Sequence, residues 1–187
     1  EVRDGERGDT ILDESVVSGD DFTSRLCAAW EAAAQPAADL GVRVCLLRTG
    51  LVLSPQGGLL GQMLLPFKLG LGSRIGNGKQ WTSWIDIDDY VALLIYLLHN
   101  ENTSGPYNMT APQPVTNLEF TQTLAKILHR PAFFVAPTPI LNLILGERAQ
   151  MITMSQRVIP RRAEATSFKF SYSTLEASLR HLVEQAK

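Results

Sequence analysis

The stretch VRVCLLRTGLVL (residues 42–53) decides the fold. It is rich in β-branched and aliphatic residues and does not alternate between apolar and polar. A strand with one wet face alternates, so this one must be covered on both faces. Parallel strands inside α/β sheets have that character. The flanks agree. Before it, residues 20–41 place Phe22, Leu26, Ala29, Trp30 and Ala33 at helical spacing, with Gly41 as a stop and Pro36 expected to kink or divide the helix. After it come a turn at 54–58 and a helix over 59–72 that Pro66 should end or bend.

The same alternation continues outward. A short strand is predicted at 81–87, a helix at 88–100, a strand at 105–111 and a helix at 116–130. Thr116 and Glu119 make a capping box for that last helix. A proline-bounded strand follows at 131–137, then helical segments at 138–152. An extended piece and a terminal helix occupy 167–183. The opening 21 residues are polar and acidic and read as loop. Strand and helix in turn predict an α/β protein with mostly parallel pairing.

The glycine-rich stretch GLGSRIGNGKQWTSWIDIDD (residues 70–89) invites comparison with a phosphate cradle. A dinucleotide loop follows a strand and opens a helix. Here Gly70, Gly72, Gly76 and Gly78 follow a helix and lead into a strand, at the wrong spacing. A structural or substrate-side connector is the better reading. Asp86, Asp88 and Asp89 could ligate a divalent cation, but carboxylates at a helix start ordinarily cap it. An EF-hand would need a mid-loop Gly and a distal Glu, and both are missing. We therefore expect no metal and assign the capping role to Asp88 or Asp89. Arg48 stands at the carboxyl edge of an apolar strand, where α/β ligands bind. A structural ion pair is the equal alternative.

The chain has 187 residues and a formal charge of −2. That balance argues against an electrostatic nucleic-acid binder. No apolar run reaches the length of a membrane-spanning helix, and no secretory leader is evident. Cys27 and Cys45 lie in apolar surroundings and lack metal-ligand spacing. We read them as reduced and buried, which fits a cytoplasmic protein. Arg25 is the only basic neighbour of Cys27, so a reactive thiolate is not expected. His99, His129 and His181 stand near helix ends and have no nucleophile elbow to serve.

Taken in order, WEAAA, LLRTGLVLSPQGGLLGQMLLPFKLGLG, GNGKQ, SWIDIDD, NMTAPQPVTNLEF, RPAFFVAP and SQRVIP carry a resemblance. The chain resembles the C-terminal two-thirds of the YfcH-like epimerase family. That family belongs to the extended short-chain dehydrogenase/reductases of the NAD(P)-dependent epimerase/dehydratase type. The resemblance implies the C-terminal part of a Rossmann-like doubly wound parallel sheet, plus a small α/β substrate lobe. It divides the chain into a partial NAD(P)-binding domain over 1–129 and a module of unassigned role over 130–187. It implies NADP as cofactor of a longer parent and a small molecule as substrate. The glycine-rich pyrophosphate loop would precede Glu1, so this chain alone should bind the dinucleotide weakly or not at all. A partial sheet also leaves an open strand edge. Homodimerisation or further residues would cover it, and the helix with Leu26, Trp30 and Ala33 is a candidate dimer face.

The resemblance also assigns residues. Arg48, Thr49, Gly50 and Val52 fall on the nicotinamide side of the cofactor pocket. Gln80, Trp81, Thr82 and Trp84 fall near the substrate lobe. The extended family uses a Tyr and, four residues later, a ribose-holding Lys. Those positions fall on Thr23 and Cys27, so Cys27 takes a cofactor-side place without the Lys chemistry, and the catalytic residues stay unassigned. Thr82 stands where nucleotide-sugar epimerases carry a diphosphate-clamping Arg, which speaks against a UDP-sugar substrate. Two functions follow from this pattern. One is an NADP-binding oxidoreductase- or epimerase-like enzyme. The other is a catalytically inactive cofactor-binding sensor or structural module.

Overall fold

The computed structural model describes residues 8–16, 19–20, 22–137 and 154–186. The whole of the predicted helical segment 138–152 lies outside them. In chain order the elements are β1 (Ile11–Leu12), α1 (Phe22–Asp39), β2 (Cys45–Thr49), β3 (Leu51–Leu53), α2 (Gly58–Lys68) and β4 (Ser73–Ile75). Then come β5 (Trp81–Thr82), β6 (Trp84–Asp86), α3 (Ile87–His99), β7 (Gly105–Met109), β8 (Val115–Thr116), α4 (Asn117–Leu128) and β9 (Phe134–Ala136). The last are β10 (Arg157–Val158), α5 (Arg161–Glu164) and α6 (Leu175–Gln185). Four pairs run parallel: β1 with β10, β2 with β7, β3 with β6 and β4 with β9. Among the described strands, β5 with β8 pairs antiparallel. The fold is α/β with parallel pairing, as the apolar run at 42–53 predicts.

That run is not one strand. It breaks at Gly50 and changes partner there. Through Thr49 it pairs with β7, and from Leu51 it pairs with β6. The Gly50 amide donates to the Met109 carbonyl at 3.2 Å, and the Leu51 amide donates to the Ser83 carbonyl at 2.8 Å. Two neighbouring backbones converge on this point. A Cβ on Gly50 would lie 2.7 Å from the Ser83 carbonyl oxygen and 2.7 Å from the Thr110 methyl. The predicted strand at 81–87 breaks beside it, at Ser83, into β5 and β6.

Other boundaries differ from expectation for local reasons. Helix α1 runs through Pro36 undivided and ends at Asp39. Helix α2 ends two residues past Pro66. Strands β1, β4 and β10 are two or three residues long and carry no readable period. Within the glycine-rich stretch, Gly78 has φ +72°, and a Cβ there would come 3.0 Å from the Leu118 side chain. The glycine therefore serves a turn packed on α4.

The main core joins α2, β6, α4 and α6 through Leu60, Trp84, Leu124 and Leu179. A second cluster, around Leu93, Tyr107 and Met109, packs α3 and α5 against β7. The C-terminal segment is tied in by polar groups as well. The buried Ser83 hydroxyl donates to the Gln156 carbonyl at 2.7 Å and accepts from the Val158 amide at 2.8 Å. Buried Asp89 accepts the Ser171 and Tyr172 amides, each at 2.8 Å.

Gly50→Ala is expected to destabilise the protein by about 1–3 kcal/mol, because the added methyl meets backbone on one side and a buried methyl on the other. A urea midpoint equal to that of the unchanged protein would contradict this account of the strand break.

Candidate functional site

The break at Gly50 opens the carboxyl end of β2 onto a cavity of about 1000 Å³. In parallel α/β sheets this is the end where ligands collect. Helix α1 contributes Cys27, Trp30 and Glu31, and β2 with its exit contributes Arg48, Thr49 and Gly50. Helix α2 contributes Leu59, Gln62, Met63 and Phe67, and the far wall comes from Trp81, Thr82, Asn117 and Phe120. Sequence spacing brings the α1 residues to one face, since positions four apart stack on a helix.

Of the residues assigned to the cofactor side, Cys27, Arg48, Thr49 and Gly50 line the cavity, whereas Val52 is not among its lining residues. Of those assigned to the substrate side, Trp81 and Thr82 line it. Trp84 does not. It is fully buried in the core, its indole N–H donating to the Gln113 carbonyl at 2.9 Å. Gln80 turns its amide to the Ile75 carbonyl at 3.2 Å and also stays out of the lining. Sequence reading missed Gln62, Met63, Asn117 and Phe120. They come from separate helices, and no motif joins them.

Both alternatives for Arg48 have a structural answer. The side chain is 7% exposed. Its Nε donates to Glu31 Oε1 at 2.7 Å and Nη2 to Glu31 Oε2 at 3.0 Å. Nη1 donates to the Glu14 carbonyl at 2.9 Å. The guanidinium is thus held in a two-point ion pair that also joins α1 to β2. It borders the cavity as part of a neutral pair.

Trp81 is fixed on three sides. Its indole N–H donates to Asp9 Oδ1 at 2.7 Å, its amide donates to the Ser155 hydroxyl at 3.1 Å, and the Arg157 guanidinium lies 4.2 Å from its ring centroid. Cys27 and Cys45 are half-buried and not buried as the apolar flanks suggest.

The acidic triplet works away from the cavity. Asp86, and neither of its later neighbours, is the N-cap of α3, accepting the Asp88 amide at 3.0 Å. Its second oxygen accepts the Ser178 hydroxyl at 2.6 Å. Asp88 pairs with His181 at 2.8 Å. The ligand atoms of Asp86, Asp88 and His181 lie within 4.8 Å of one another, but each already has a protein partner that accounts for its position. Burial holds the Asp86 carboxyl above its ordinary value of 3.8, against the lowering effect of its bonds to Ser178 and Asp88.

Residues 20–110 match the family model of the NAD dependent epimerase/dehydratase family. An epimerase family protein of Staphylococcus aureus is 41% identical over 165 residues, covering 88% of this chain and 55% of its own length. Over residues 20–110 the chain belongs to the NAD-dependent epimerase/dehydratase family. Within that family, the human epimerase family protein SDR39U1 (isoform 2), solved with NADPH, superposes with a TM-score of 0.92 at 40% identity, covering 96% of this chain and 61% of that one. A nucleoside-diphosphate sugar epimerase from Corynebacterium glutamicum gives 0.77 at 36% identity, covering 95% of this chain and 34% of that one. This epimerase-family chain spans little more than half of the S. aureus protein. Residues 136–182 match a domain of unknown function, DUF1731. No described helix is long and apolar enough to cross a membrane.

Two outcomes are expected. Arg48→Met removes two charge-assisted bonds and the bond to Glu14, and should cost about 2 kcal/mol in urea denaturation. Glu31→Gln should cost less, and the double variant less than the sum. Asp86 has a raised pKa in the folded state, so the folded state binds its proton more readily than the unfolded chain. Its ionisation therefore lowers stability as pH rises from 3.8 through the folded value. Asp86→Asn keeps a capping acceptor and removes the charge. Its stability should match or exceed that of the unchanged protein at neutral pH and lose this slope, as read from urea midpoints between about pH 4 and pH 8.

Proposed function

We propose that this chain is part of an NADP(H)-dependent oxidoreductase or epimerase of the YfcH-like branch, acting on a small molecule. The observation that carries the reading is the cavity at the end of β2, bordered by Cys27, Arg48, Thr49 and Gly50. The likeness to an NADPH-bound human protein supports it. A nicotinamide ring packs on apolar surface and hydrogen-bonds its carboxamide to backbone, and the strand break at Thr49–Gly50 with Leu46 and Leu51 beside it has that chemistry. The residues present fit that end of the dinucleotide. The pyrophosphate needs a glycine turn that leaves a strand and opens a helix onto the ligand. The reading places that turn in sequence preceding Glu1. It also divides the protein at residue 130 into an NAD(P)-binding part and a C-terminal module, and it uses α1, with Phe22 and Trp30 exposed, as a homodimer face.

When bound, NADPH supplies hydride. The chain's own part is to close one side of the site, fix the strand end through Arg48 and Glu31, and keep water from the reacting face. Thr23 and Cys27 occupy the places of the family's Tyr and Lys. A threonine hydroxyl is far too weak an acid to replace a phenol, and a neutral thiol cannot replace an ammonium. That substitution favours a second reading, a cofactor-binding protein that has lost turnover.

Calorimetric titration of the full-length protein should show saturable NADPH binding. The 187-residue chain should bind at least about tenfold more weakly, since each 1.4 kcal/mol of lost phosphate contact is tenfold. Absence of NADPH binding by the full-length protein would overturn the proposal. Turnover of any carbonyl substrate by that unmodified protein would exclude the inactive reading.

A further inference from the structure

The cavity wall also carries information about the substrate. Resting on the cofactor reading above, we infer that the substrate part takes an uncharged small molecule with an apolar body and one hydrogen-bonding carbonyl or hydroxyl. It does not take a nucleotide sugar.

Charge is the first observation. Among the described residues that line the cavity, the ionisable acids and bases outside the two cysteines are Glu31 and Arg48. They neutralise each other through two bonds of 2.7 and 3.0 Å. A nucleotide sugar brings a diphosphate with two negative charges. Burying those charges requires cations or converging N–H donors, and arginine forks are the usual solution. Among the described residues, Arg157, Arg74 and Lys79 stand close to lining residues in sequence but outside the lining, and the two arginines are held by other contacts. Arg157 stacks on Trp81 at 4.2 Å, and Arg74 donates to the Asn77 carbonyl at 3.2 Å. Thr82, a neutral side chain, borders the cavity directly.

Shape and polarity are the second observation. An apolar wall of the cavity is built from Leu59, Met63, Phe67 and Phe120. Met63 is unbranched and adaptable and suits a ligand of irregular outline. Gln62 and Thr82 supply neutral donors and acceptors at the border of this wall. A largely apolar pocket with a few neutral polar groups binds by burying apolar area and orients its ligand by one or two hydrogen bonds. A sugar would leave most of its hydroxyls without partners there, and each unpaired buried hydroxyl is unfavourable.

The test uses the full-length protein with methyl NMR of Met63 and Leu59. The probes are carvone, an uncharged apolar ketone, and UDP-glucose. Carvone is expected to shift both methyl signals saturably, and UDP-glucose to leave them unmoved. Met63→Glu should weaken carvone binding about tenfold or more, whereas Leu98→Glu, on the exposed side of α3, should leave it unchanged. If Met63→Glu does not fold by circular dichroism, Leu71→Glu, on an exposed rim residue of the same cavity, replaces it with the same expectation. Saturable UDP-glucose shifts without carvone shifts would overturn the inference. So would carvone binding that survives the cavity variant that folds and is lost in Leu98→Glu. A parallel NADPH titration separates the two readings. Carvone binding without NADPH binding supports the pocket assignment and removes the cofactor reading. NADPH binding with preference for UDP-glucose does the reverse.

Discussion

Everything near the cavity depends on a backbone approach that tolerates no side chain. At Gly50 the strand leaves β7 and joins β6, and the Ser83 backbone and the Thr110 methyl close on it from two sides. An ordinary strand residue would separate them by the width of a methyl group. The break has a second effect. It ends the β2 ladder at Thr49, so the strand's carboxyl end faces a cavity and not another strand. Fold and site therefore share one constraint.

The neighbouring break at Ser83 links that constraint to the C-terminal segment. Its hydroxyl both donates to Gln156 and accepts from Val158. One buried side chain thereby positions β10, whose parallel partner is β1. Residues from both ends of the chain meet beside the cavity for this reason. The acidic triplet does similar work at the start of α3. Asp86 takes Ser178, Asp88 takes His181, and Asp89 takes two amides at 171–172. Carboxylates that look like a cation site from spacing alone act as a clasp for the last helix. Their partners lie more than eighty residues away, so no local pattern could name them.

Legibility followed the range of the interaction. The Thr116–Glu119 capping box forms because it is a contact three residues long. The parallel pairing of residues 42–53 was readable from their apolar composition, but the cover on both faces that this composition implies is not there: Leu47 and Thr49 of β2 are exposed and only Arg48 in that strand is buried. The division of that run was not readable, because Leu51 and Thr49 differ only in their partners, β6 and β7. Trp84 shows the same limit in the site. A tryptophan between a loop and an acidic turn resembles a substrate contact, yet the strand buries it against Leu53 and Leu124 in the core. Trp81, three residues earlier, borders the cavity because β5 pairs antiparallel with β8 and leaves the main core. Arg48 was placed correctly at the strand end, but its role turns on Glu31, seventeen residues back on α1.

That pair also constrains the chemistry. An arginine at the end of a parallel strand would ordinarily draw anions to the cavity, and a lone glutamate would repel them. Held together, they cancel at long range, while their geometry fixes α1 against β2. Cys27 lies one helical turn before Glu31 and faces the same space. On the substrate reading proposed above, affinity at this electrostatically quiet wall comes from apolar contact and from neutral hydrogen bonds. Specificity then rests on shape, which Met63 and Phe120 supply, and on the few unionised groups that border it.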